Sequence, residues 1–131
     1  MAELTIDAKT ENLPQVFEFI EESLEGCPFK LVSQMNLVAE EIFVNIASYA
    51  YKDKEGKAII KVDVDNNTLT LIFEDSGVPF DPLQKEDPDT SANAEERQIG
   101  GLGIFLAKKL TDSMEYENKD GVNRLLLTKK F

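Results

Sequence analysis

From residue 31 to residue 51 the chain carries an apolar stripe wider than a solvent-facing helix can hold. Met35, Val38, Ala39, Ile42, Ile46 and Ala50 recur at helical spacing, and Leu31, Phe43 and Ala47 widen the face. A helix of that kind has to be covered, and the spacing predicts one pressed against a sheet. Glu41 and Asn45 interrupt it, one turn apart and on one face. An Asn amide oxygen is a hard, neutral ligand suited to Mg²⁺. A carboxylate one turn away can take a proton from an attacking hydroxyl or position a water. A solvated stripe on a half-buried helix is the plainer account of this pair taken alone.

The flanking segments supply the expected sheet. Residues 4–8 alternate as a short strand. Residues 12–25 form an amphipathic helix, with Asn12 placed to cap it, Pro14 in its first turn, and Gly26-Cys27-Pro28 closing it. Strands over 58–64 and 69–73 join through Asp65-Asn66-Asn67. Asp63, Asp65, Asn67 and Glu74 fit part of a calcium-loop spacing. Thr68 stands where that loop needs glycine, so a hairpin is the better reading. Residues 74–97 are polar and rich in Asp, Pro, Ser and Asn, as in a lid or binding loop. A helix over 102–111 follows Gly100-Gly101-Leu102-Gly103, and strands over 114–117 and 122–128 turn at Lys119-Asp120-Gly121. The order β-α-α-β-β-loop-α-β-β predicts an α/β (α+β) two-layer sandwich. Its sheet is mixed or mostly antiparallel, and helices cover one face. One domain spans residues 1–131.

Charge and residue usage exclude several functions. The 131 residues contain 14 Lys plus Arg against 25 Asp plus Glu, a formal net charge of −11. A surface so acidic argues against non-specific binding of DNA, RNA or an anionic membrane. A bound polyphosphate would need a metal ion or a local cluster of donors. There is no histidine, which removes His-based general bases, phosphohistidine and His-ligated zinc from these residues. Cys27 is the one cysteine, so no internal disulfide can form. The start of the chain has no basic region leading into an apolar stretch, and the longest apolar run, 104–107, is too short to span a bilayer. The expected address is the cytoplasm.

Two further motifs point to a ligand. Asp75-Ser76-Gly77 directly follows a strand. An acid there can accept a hydrogen bond from an exocyclic amine, and a glycine lets a flat ring approach the backbone. A plain turn explains the same tripeptide. Gly101-Leu102-Gly103 opens a helix, whose uncovered N–H groups and partial positive charge suit an anion. A hinge explains that one. The glycines follow a loop rather than a strand, so a dinucleotide fold does not fit.

Taken in order, Glu41-x3-Asn45, Asp75-x-Gly77, a long loop and Gly101-x-Gly103 resemble the GHKL, or Bergerat, ATP-binding superfamily over nearly the whole chain. The stretches 75–82 and 100–107 are most similar to the anti-sigma-factor serine/threonine kinases of that superfamily. The resemblance implies ATP and Mg²⁺ as cofactors. Asn45 would hold the metal and Glu41 would be the catalytic base. Asp75 would take the adenine amino group, with Gly77 beside the ring. Gly101, Leu102 and Gly103 would receive the phosphates, under a lid over about 78–100 in which Arg97 or Lys85 reaches the γ-phosphate. It implies transfer of the ATP γ-phosphoryl to Ser or Thr of an anti-sigma-factor antagonist, sequestration of a sigma factor, and a homodimer through the N-terminal strand and helix. Two other readings stand beside it: a non-catalytic nucleotide-binding module that controls a partner, and a catalytic domain of a histidine-kinase system with an external phosphoacceptor. The sequence departs from the family at Pro79, which replaces a glycine, and at Tyr49, which replaces a histidine. It departs again at Gly121-Val122-Asn123, where Gly-Thr is frequent.

Overall fold

A computed structural model describes residues 1–51, 54–79 and 101–131, with backbone alone at 101–103. From residue 80 onward the expected lid lies outside the described residues, as do Lys85 and Arg97. The described order is β1 (Ala2–Asp7), a 3-10 turn (Thr10–Asn12), α1 (Leu13–Ser23), α2 (Phe29–Asn45) and a π-helical turn (Ile46–Ala50). It continues with β2 (Lys57–Asp65), β3 (Thr68–Asp75), α3 (Gly101–Leu110), β4 (Ser113–Lys119) and β5 (Val122–Lys130). Apart from the two short turns, the helices and strands follow the succession that the sequence predicts.

The strands form one sheet in the order β1-β2-β3-β5-β4, with every neighbouring pair antiparallel. The expectation of a mixed or mostly antiparallel sheet thus narrows to antiparallel among the described strands. Two-residue turns set the register of both hairpins. Asn66 and Asn67 take φ of 50° and 60°, and Asp120 and Gly121 take 54° and 80°. Two successive left-handed residues match the right-handed twist of the strands they join.

Strand alternation divides the sheet into two faces. On the inner face, Leu4, Ile60, Phe73, Leu125 and Tyr116 form one row across the ladder, and Val62, Leu71, Leu127 and Met114 form the next. Val16, Ile20 and Leu24 reach this core from the first helical segment, Met35, Ile42 and Phe43 from α2, and Ile104 and Ala107 from α3. Helix α2 packs between α1 and α3. Burial of this common face is what stabilises the three helices, since short helices are marginal alone. Ile72 is buried but belongs to the opposite face, outside that cluster.

Several helix ends differ from the sequence reading. Asn12 does not cap α1; its Nδ2 donates to the Asp7 carbonyl at 3.0 Å, tying the end of β1 to the helix start. Helix α2 begins at Phe29 because Pro28, extended at φ −56° and ψ 140°, offers its carbonyl to the N–H groups of Leu31 and Val32. The α-helical part also ends early, at Asn45, where the chain widens into the π-turn.

Candidate functional site

Asn45 is the last residue of α2, and the π-turn begins immediately after it. Such widened turns insert extra backbone into a helix and recur at functional sites. Here the turn brings the Ala50 carbonyl against the segment that follows β3, where it accepts a hydrogen bond from the Val78 N–H at 2.7 Å. A Cβ on Gly77 would lie 2.2 Å from that carbonyl oxygen, so only glycine permits the approach. Gly77 therefore answers to the helix turn; on this loop Asp75 and Val78 line the cleft described below. Tyr51 clamps the same junction. Its hydroxyl donates to the Lys57 carbonyl at 2.6 Å and accepts from the Ser76 N–H at 2.9 Å.

Asp75 is the last residue of β3 and points to the inner face, opposite Asn123 of β5. Its Oδ1 accepts the Gly77 N–H at 2.9 Å and the Asn123 Nδ2 at 2.8 Å. Asn123 is 7% exposed, the buried polar residue among the described ones. The sequence reading registers it only as a departure from a family pattern. A signal was available: Asn123 has the same strand parity as Leu125 and Leu127, so an amide sits where the core expects an apolar group.

A cleft opens between the end of α2 and the inner face of the sheet. Asn45 and Tyr49 come from the first, Asp75 and Asn123 from the second; Ile42, Ile46, Phe73, Ile104 and Leu125 supply apolar walls. Residues nearly thirty positions or more apart are thus brought together, as a flat heterocycle with one polar edge requires. Gly101, Leu102 and Gly103 form the first turn of α3, directly before the cleft residue Ile104. The first N–H groups of any helix have no partner within it and can meet an anion. Glu41 stands one turn before Asn45, half-buried and not among the cleft-lining residues. Burial raises its pKa above the ordinary glutamate range, and neighbouring Glu40 raises it further. Arg97 lies outside the described residues.

Among the described residues no group of three or more His, Cys, Asp or Glu is placed to hold a metal. Asn45 can supply one oxygen. That suits Mg²⁺, which keeps waters and phosphate oxygens and needs few protein ligands.

An antiparallel sheet backed by helices thus frames a cleft with one polar edge. The chain belongs to the histidine kinase-like ATPase domain family, whose model matches residues 6–129. It is 30% identical over 95 residues to the serine/threonine-protein kinase BtrW of Bordetella bronchiseptica, spanning 72% of this chain and 67% of that one. To the serine-protein kinase RsbW of Bacillus subtilis it is 29% identical over 128 residues, spanning 89% and 80%. The fold is shared with the histidine kinase domain of a blue-light-activated histidine kinase from Erythrobacter litoralis. That match has a TM-score of 0.58 at 16% identity and covers 92% of this chain and 60% of that one. The domain is a kinase-like ATPase. No described helix is long and apolar enough to cross a membrane.

Proposed function

We propose that this chain is an ATP-binding anti-sigma-factor kinase. It transfers the γ-phosphoryl of ATP to a serine or threonine of an antagonist protein and sequesters a sigma factor. The observation that carries the reading is the shared cleft, lined by Asn45, Asp75 and, from the first turns of α3, Ile104. Relatives named serine- and serine/threonine-protein kinases support the choice of acceptor. In this reading Asp75 accepts the adenine amino group, and the Gly101-Leu102-Gly103 turn, with Arg97, meets the phosphates. Asn45 would hold Mg²⁺, which when bound neutralises charge on the triphosphate of a ligand that a −11 chain would otherwise repel. Glu41 accepts the proton of the acceptor hydroxyl as its oxygen bonds to the γ-phosphorus. The bond from that phosphorus to the bridging oxygen breaks, and ADP leaves. A raised pKa brings Glu41 nearer the working pH of a general base. Residues 1–131 act as one domain in the cytoplasm, as a homodimer joined through β1 and α1.

The test is incubation of the protein with Mg-ATP and candidate antagonist proteins. The expected product is acid-stable phosphoserine or phosphothreonine, lost in Glu41→Ala. Transfer that survives Glu41→Ala removes the base assignment. Nucleotide binding without transfer to any candidate favours a non-catalytic module. An acid-labile product favours the alternative of a histidine-kinase catalytic domain with an external phosphoacceptor. Titration with ATP and ADP, with and without Mg²⁺, tests the metal: Asn45→Ala is expected to remove the Mg²⁺ dependence while keeping adenine recognition. Sedimentation analysis tests the homodimer.

A further inference from the structure

The Asn123 amide is held by five partners. Its Oδ1 accepts from the Tyr116 hydroxyl at 2.5 Å and from Asn118 Nδ2 at 2.8 Å. Its Nδ2 faces three acceptors: Asp75 Oδ1 at 2.8 Å, the Val78 carbonyl at 3.1 Å and the Gly77 carbonyl at 3.3 Å. Two donors on one side and three acceptors on the other leave the amide a single orientation. One N–H is aimed at Asp75; the other is shared between the two loop carbonyls. The Gly77 N–H also reaches Asp75 Oδ1, which then has both lone pairs engaged. Asp75 Oδ2 has no hydrogen bond among the described residues, and Asp75 lines the cleft.

An ionised carboxylate only accepts hydrogen bonds. Fixed in one rotation, with one oxygen already saturated, it welcomes an amine on a ring edge and opposes a carbonyl there. Left to rotate, it could turn away from the carbonyl and lose that discrimination. We propose that Asn123, acting through Asp75, is the positioning residue that makes this cleft select a purine bearing a 6-amino group over one bearing a 6-oxo group. The proposal rests on the nucleotide reading above, and Tyr116 serves it by holding the amide from behind.

Calorimetric titration of four proteins (wild type, Asp75→Asn, Asn123→Ala and Tyr116→Phe) with ATP, GTP and purine riboside triphosphate, which lacks any group at position 6, separates the cases. Loss of a hydrogen bond to a charged group is expected to lower the ATP affinity of Asn123→Ala by about tenfold or more. GTP and the unsubstituted purine should change much less, so the ATP-to-GTP ratio collapses. Tyr116→Phe should lower the same ratio by a smaller factor, since Asn118 still supports the amide. It decides the matter if Asn123→Ala fails to fold. A uniform weakening of all three ligands means a merely structural role and overturns the proposal. So does a ratio that is unchanged in Asn123→Ala and Tyr116→Phe but lost in Asp75→Asn, and there the nucleotide reading survives. A wild type with no preference for ATP, or an Asp75→Asn variant that keeps the preference, overturns the base-site reading itself, and this proposal with it.

Discussion

Glu74 and Asp75 are neighbours on β3, and Arg124 and Asn123 are their partners on β5, yet the two pairs lie on opposite faces of the sheet. On the outer face Glu74 meets Lys61 at 2.9 Å and Arg124 at 3.8 Å, while Arg124 also reaches Glu117 at 3.6 Å. Those side chains are 17% (Glu74), 26% (Lys61), 40% (Arg124) and 58% (Glu117) exposed. On the inner face Asp75 has no cationic partner among the described residues; an amide and a backbone N–H hold it in the lining of a largely apolar cleft. The same kind of acid, shifted by one residue, passes from a screened ion cluster to a fixed acceptor. Ion clusters with water access contribute little and tolerate change. An acid held beside a cleft by neutral donors, with no cation to pair it, is a candidate for ligand contact.

The contrast breaks most decisively at Glu41. Glu41→Gln is expected to reduce phosphoryl transfer by about 10²- to 10⁴-fold, the usual weight of a general base. Stability should be kept or increased at neutral pH. A raised folded-state pKa contributes stability at low pH that is lost as pH rises through the raised value, so the ionised carboxylate burdens the fold and Gln relieves it. Transfer by the parent protein should rise with pH through an inflection above the ordinary glutamate range, and the inflection should vanish in the variant. A Glu41→Gln protein of unchanged rate and lower melting temperature would reverse the contrast.

Next in size is Gly77→Ala. The added methyl meets the Ala50 carbonyl, a backbone group that cannot swing aside, so a destabilisation of about 1–3 kcal/mol is expected in denaturant melts, with nucleotide affinity falling too. Tyr51→Phe leaves the Ser76 N–H and the Lys57 carbonyl without their shared partner, at a cost of about 1–2 kcal/mol in the same melts. Smallest is Glu74→Gln on the outer face, at less than about 1 kcal/mol, with nucleotide affinity unchanged. Its hydrogen bond to Glu74 raises the Lys61 pKa, a stabilisation present at neutral pH and lost as pH climbs through the raised value. The difference between parent and Glu74→Gln should therefore shrink at alkaline pH. A Glu74→Gln loss as large as that of Gly77→Ala would erase the distinction between the faces.

Local periodicity determined a good deal about this protein. The wide stripe of α2 demanded a sheet, and Asn-Asn and Asp-Gly marked both hairpins. Those signals are legible because they repeat within a few residues, on the scale over which backbone geometry acts. Glu41 and Asn45, one turn apart, were visible for the same reason. Sequence did not disclose that Asp75 meets Asn123 across 48 positions, that the chain widens after Asn45, or that Gly77 is shaped by Ala50. Strand parity says only that Asn123 faces inward. Its partner follows from the register of β3 against β5, and no local preference encodes that register. The tertiary structure decided it, because two distant strands and a helix turn had to close over one core before any of these polar groups could find each other.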